Sequence, residues 1–103
     1  MKLSFTDRTY LVTGGGSGIG MGVAAGLARA GADVLIIGRN AERLAAAAQQ
    51  IGADATGAVR PHPADVTDEE QVAAAVAAAA AWNGRLHGVV HCAGGSETIG
   101  PVT

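Results

Sequence analysis

The segment best suited to chemistry in this chain is Thr13-Gly14-Gly15-Gly16-Ser17-Gly18-Ile19-Gly20. It follows a strand-like run and opens a helical pattern. A phosphate group needs that context: backbone N–H groups free at a helix N-terminus, a favourable dipole, and no side chains blocking the approach. A flexible turn without a ligand is the plain alternative. It explains the alternating glycines poorly, because each one costs backbone entropy. A nucleoside triphosphate loop would carry Lys-Ser or Lys-Thr after its last glycine, whereas Gly20 is followed by Met21-Gly22. The commoner dinucleotide spacing G-x-G-x-x-G is not met either.

The spacing that is met is T-G-x-x-x-G-x-G, through Thr13, Gly14, Gly18 and Gly20. It resembles the short-chain dehydrogenase/reductase family. That resemblance implies a nicotinamide dinucleotide as partner, held at the turn by Gly14, Gly16, Ser17, Gly18, Ile19 and Gly20. Two further places match. Asp65-Val66 follows the third strand-like run, where the family uses an Asp and the next residue's backbone against the adenine ring. The alternative for Asp65 is to cap the helix that follows, a role for which Thr67 is the better candidate. His91-Cys92-Ala93-Gly94 stands where the family has Asn-Asn-Ala-Gly. Ala93 and Gly94 match, and the backbone from Cys92 to Gly94 is expected against the cofactor ribose. His91 and Cys92 depart from the pattern. His91 reads as a structural histidine and Cys92 as a small buried apolar residue.

An NAD-preferring site places an acid about 20 residues beyond the glycine turn, where it accepts from the adenosine 2′-OH. Here that region is Ile37-Gly38-Arg39-Asn40, with Arg39 in place of an acid. A carboxylate would repel a 2′-phosphate. A guanidinium binds one through its planar fork and stacks on adenine. The expected cofactor is therefore NADP rather than NAD, with Arg39 and Asn40 at the 2′ position. The turn has no second basic residue to support Arg39.

The family's reaction is hydride transfer between nicotinamide C4 and a carbonyl or alcohol carbon. It uses a Ser, a Tyr as general acid/base and a Lys four residues after that Tyr. This chain has one Tyr, Tyr10, and one Lys, Lys2, so no catalytic residue is assigned. Ser96 reads as a loop residue. The expectation is the cofactor-binding half of an NADP-dependent oxidoreductase acting on a small carbonyl or alcohol substrate, a homo-oligomer when complete. The alternatives are a non-catalytic dinucleotide-binding module or inactive fragment, and an S-adenosylmethionine methyltransferase. The last would want an acid where Arg39 stands.

The elements that must position these residues alternate. Strand-like runs cover Thr9–Thr13, Asp33–Ile37, Val59–Pro63 and His87–His91. The second, continuous and β-branched, suits a strand covered on both faces. The third contains Pro61 and Pro63 and fits only an edge strand or an extended segment. Between them, Ile19, Val23 and Leu27 mark one face of a first helix stopped by Gly31. Asn40 caps a second, with Leu44, Ala47, Ala48 and Ile51 inward and Gly52 at its end. Thr67-Asp68-Glu69-Glu70 reads as a capping box with Thr67 as N-cap. Val72, Val76 and Ala79 or Ala80 follow, and Trp82-Asn83-Gly84 closes that helix. The order β-α-β-α-β-α-β means an α/β fold with a parallel sheet and right-handed crossovers. The resemblance makes it the first half of a Rossmann-type doubly wound sheet, in strand order 3-2-1-4. Residues 95–103 read as a loop, leaving the outer edge of the fourth strand unpaired and the chain poorly stable or prone to associate.

Composition agrees with part of a larger fold. Among 103 residues, 23 are Ala and 16 Gly, while Leu, Ile, Val and Phe total only 22. The hydrophobic contribution of so few large side chains is thin. A net charge of −2 and a pI near 5.8 give no nucleic-acid footprint. No apolar run is long enough to span a membrane, and Met1–Arg8 lacks the apolar stretch of a signal peptide. One Cys excludes an intrachain disulfide and fits a reducing cytoplasm.

Overall fold

The structure, a computed structural model, describes residues 5–14, 18–92 and 99–102. Chain order is β1 (Thr9–Thr13), α1 (Gly18–Arg29), β2 (Asp33–Gly38), α2 (Ala41–Gly52), β3 (Val59–Pro63), α3 (Glu69–Asn83), β4 (Gly88–Cys92) and β5 (Ile99–Val102). The strands form one sheet in the order β3-β2-β1-β4-β5. β1 to β4 are parallel, so the 3-2-1-4 order expected from the sequence is present. β3 is the edge strand its two prolines require.

The expected loop after β4 is not what the structure contains over its last described residues. Ile99–Val102 pairs antiparallel with β4, in the register Val89↔Val102 to Cys92↔Ile99. The outer edge of β4 is thus covered. Gly100 and Pro101 hide this strand from a search for alternating residues.

Two apolar layers sandwich the sheet. Val34, Leu35, Ile36 and Ile37 of β2 are all buried, which accounts for their uninterrupted apolar run. Val12, Val34 and Ile36 face Ala24, Ala28, Leu44, Ala47, Ala48 and Ile51 of α1 and α2. Leu11, Leu35 and Ile37 face Ala75 and Ala79 of α3 on the other side. Each large aliphatic side chain so buried contributes about 1.5–3 kcal/mol.

The helices differ in detail from their sequence patterns. On α1 the buried residues are Gly20, Ala24 and Ala28, and Ile19 is 45% exposed. Val23 and Leu27 flank that stripe instead of centring it. Small residues let the helix approach the sheet, which moves the larger ones to the sides. Gly31, at φ +103°, ends the helix. Ala32 N–H bonds to Leu27 O and Gly31 N–H to Ala28 O, the paired bonds of a Schellman stop. Asn40 caps α2 as expected, its Oδ1 accepting from Arg43 N–H at 2.9 Å.

The N-cap of α3 is Asp68, one residue later than the sequence pattern indicates. Its carboxylate accepts from Glu70 N–H at 3.0 Å and Gln71 N–H at 3.3 Å. Thr67 is unavailable because its hydroxyl donates to Asp65 Oδ1 at 2.7 Å. The cap and its third-position partner are therefore Asp68 and Gln71, whose side chains also bond at 3.2 Å.

At the N-terminal ends of the strands, polar groups satisfy one another. Asn83 Nδ2, in the last turn of α3, donates to Thr9 Oγ1 at 2.9 Å and Asp33 Oδ2 at 2.7 Å. Asp33 Oδ1 accepts from Ala58 N–H, and His87 Nδ1 from Thr9 N–H. Gly57 lies so close to this end that a Cβ would overlap the Ala32 carbonyl oxygen.

Candidate functional site

The opposite ends of the parallel strands are built differently. Open α/β sheets bind ligands outside the carboxyl ends of their strands. There, Gly14, Gly38, Arg39, Ala64, Val66, His91 and Cys92 line a cleft of about 370 Å3. A neighbouring hollow of about 290 Å3 shares Arg39 and Ala64 and adds Pro63, Asp65 and Gln71.

Gly14 leaves β1 with φ +73°. Its N–H bonds to Ile37 O at 2.9 Å, and a Cβ there would overlap the Cys92 carbonyl oxygen. Glycine is required by both conformation and contact. Gly18, the first residue of α1, has open space where a Cβ would stand. No described neighbour demands glycine at that position, and its absent side chain leaves the N-terminus of α1 approachable.

Thr13 joins the C-terminal ends of β1 and β4. Its Oγ1 accepts from Cys92 N–H at 3.0 Å and lies 2.9 Å from His91 Nδ1. Thr13 is buried and His91 exposed. The sequence reading of His91 as a satisfied histidine holds for one ring nitrogen, while the residue itself lines the cleft. The Cys92 side chain is buried on the α1 side, and burial pushes its thiol pKa up. That fits a small buried residue and not a nucleophile.

β3 leads into the Asp65 turn. Ala64 N–H bonds to Gly38 O at 2.8 Å, holding the ends of β2 and β3 together. Asp65 N–H donates to Gln71 Oε1 at 2.7 Å. The Asp65 carboxylate accepts from both the hydroxyl and the N–H of Thr67. Those two bonds, the hydroxyl's first, hold its pKa below the usual carboxylate range, with a smaller contribution from the Arg39 charge. Asp65 therefore neither caps α3 nor stands free. It is an ionised, oriented group on the same hollow as Arg39. Val66, beside it, is 40% exposed, an apolar surface turned to the cleft.

Of the residues singled out from sequence, Gly14, Arg39, Val66 and Cys92 line the cleft, and Asp65 lies in the adjoining hollow. Gly18, Ile19 and Gly20 form the first turn of α1. Asn40 Oδ1 is engaged in capping α2. Gly16, Ser17, Ala93 and Gly94 lie outside the described residues. Gly38, Ala64, His91 and Gln71 were missed. Position at a strand's carboxyl end is the signal that identifies the first three, and a Gln three residues past an N-cap identifies the fourth.

Comparison with known proteins matches this geometry. The short chain dehydrogenase family profile covers residues 8–102. A short-chain type dehydrogenase/reductase from Mycobacterium ulcerans is 66% identical, with a TM-score of 0.86 over 92% of this chain and 35% of its own. Levodione reductase of Leifsonia aquatica is 42% identical over 91 residues, 87% of this chain and 34% of its own length. L-Sorbose reductase from Gluconobacter frateurii, solved with NADPH and L-sorbose, is 30% identical, with a TM-score of 0.73 over 79% of this chain and 31% of its own. The chain thus spans about a third of the length of the relatives it matches. The 3-2-1-4 parallel core, the T-G-x-x-x-G-x-G spacing from the end of β1 into α1, and these matches together make the chain a member of the short chain dehydrogenase family.

Proposed function

We propose that this chain is the cofactor-binding part of an NADP-dependent short-chain oxidoreductase. Arg39 carries the reading. It stands one residue past β2, where NAD-preferring sites hold an acid, and it lines both hollows at the strand ends. Its guanidinium would grip the adenosine 2′-phosphate by two parallel hydrogen bonds. Val66 offers an apolar surface for adenine, with ionised Asp65 beside it. The open approach over Gly18 and the positive end of α1 suit the pyrophosphate. Bound there, the dinucleotide would exchange hydride at nicotinamide C4 with a small carbonyl or alcohol substrate.

The residues here hold and orient the cofactor. Proton transfer would fall to a Tyr-x-x-x-Lys pair that these 103 residues do not contain. A longer chain would supply it, along with the substrate pocket and an oligomer interface. No helix among the described residues is long and apolar enough to cross a membrane, in keeping with our proposal of a cytoplasmic enzyme. A dinucleotide-binding module without catalysis is the second reading.

Fluorescence titration of the 103-residue chain with NADPH and NADH tests the proposal. NADPH should bind tighter, and Arg39→Ala should lower its affinity roughly 10- to 100-fold while leaving NADH nearly unchanged, as loss of charge-assisted bonds predicts. An unchanged NADPH/NADH ratio in Arg39→Ala would overturn the cofactor assignment. Sequencing the gene beyond Thr103 separates enzyme from module by whether Tyr-x-x-x-Lys follows.

A further inference from the structure

We infer that His91 is a further binding residue of the cleft, donating its Nε2–H to an oxygen on the ribose–pyrophosphate part of the dinucleotide. This rests on the dinucleotide reading above. The observation behind it is the pair His91–Thr13, opposite each other in the β1–β4 register and facing the α3 side of the sheet. A hydroxyl has one proton and two lone pairs. Cys92 N–H occupies one lone pair of Thr13 Oγ1. His91 Nδ1 lies 2.9 Å from the same oxygen, where it can accept the hydroxyl proton or, when protonated, donate to the second lone pair.

With the hydroxyl donating to Nδ1, the ring carries its proton on Nε2. The bond also pins the ring from one edge, because buried Thr13 cannot turn away without leaving Cys92 N–H unpaired. His91 is exposed and lines the cleft together with Gly14, Arg39 and Val66. A donor held in one orientation loses little freedom on binding. The ligand chemistry that fits is an oxygen acceptor, a ribose hydroxyl or a phosphate.

The test titrates the 103-residue chain and its His91→Phe and Thr13→Val variants with NADPH, ADP and AMP. Circular dichroism confirms that each variant is folded. His91→Phe should weaken NADPH and ADP about three- to tenfold, the effect of one hydrogen bond. Thr13→Val, which keeps the ring and releases its orientation, should weaken them less. A loss for ADP with none for AMP assigns the contact to the second phosphate. An equal loss for both assigns it to the ribose and first phosphate. Nitrogen-15 NMR should show His91 protonated at Nε2 before ligand, and that signal should shift when NADPH is added. Unchanged affinities in a folded His91→Phe, or a proton found on Nδ1, would overturn the inference while wild-type NADPH binding leaves the site reading intact. Failure of wild type to bind any dinucleotide would overturn both.

Discussion

The two ends of the parallel sheet use polar groups in opposite ways. At the N-terminal end, Thr9, Asp33, Asn83, His87 and the Ala58 N–H bond to one another, and Gly57 closes against the Ala32 carbonyl. At the C-terminal end, Arg39, Val66 and His91 border a cleft, and the start of α1 is left open at Gly18. The first end has its hydrogen bonds satisfied within the chain. The second offers a cation, an apolar surface and an imidazole to something outside it. Stability and binding are therefore carried by different ends, and substitutions should separate them.

The largest effect is expected at the two tight glycines. Gly57→Ala and Gly14→Ala each drive a Cβ into a backbone carbonyl, and Gly14 has positive φ besides. Each should cost about 3 kcal/mol or more in urea unfolding. They should differ in binding. Folded Gly57→Ala should keep wild-type NADPH affinity, whereas Gly14→Ala should lose it because β1 and β4 must part beside the cleft. Equal affinities would erase the distinction between the ends.

Asn83→Ala should have a smaller effect. It removes two hydrogen bonds that tie α3 to β1 and β2, so unfolding should become easier by about 1–2 kcal/mol. NADPH affinity should stay as in wild type.

Asp65→Asn sharpens the comparison through pH. Bonds from Thr67 depress the Asp65 pKa, so its ionised form favours the folded state. That contribution is fully present above the unfolded carboxylate pKa, about 4, and fades as pH falls through the depressed value. In Asp65→Asn, thermal melts should therefore lie slightly below wild type at pH 7, and the gap should close as pH falls below about 4. An identical pH profile would mean that the Thr67 bonds do not bias its ionisation.

Much of this architecture is legible in the chain itself. The β-branched run of β2, the prolines of β3 and the Asn40 cap each act locally, so neighbours in sequence reveal them. The glycine turn announces the family because its spacing is fixed by one strand-to-helix junction. Where the structure departs from the sequence pattern, distant or competing contacts decide. Thr67 and Asp68 are both good caps, and the pull of Asp65 on the Thr67 hydroxyl settles the choice. Ile19 looks inward by periodicity, yet Gly20, Ala24 and Ala28 bring the helix close and turn it outward. The Thr13–His91 pair joins residues 78 apart in sequence, and no local rule exposes it.

The central claim, that one end binds and the other stabilises, is tested most directly by a paired measurement on Arg39→Ala and Asn83→Ala. For each, the NADPH/NADH affinity ratio and the urea midpoint are recorded together. Arg39→Ala should lose the NADPH preference with a midpoint equal to wild type, and Asn83→Ala should show the reverse. A preference that survives in Arg39→Ala, or falls in Asn83→Ala, would contradict the account.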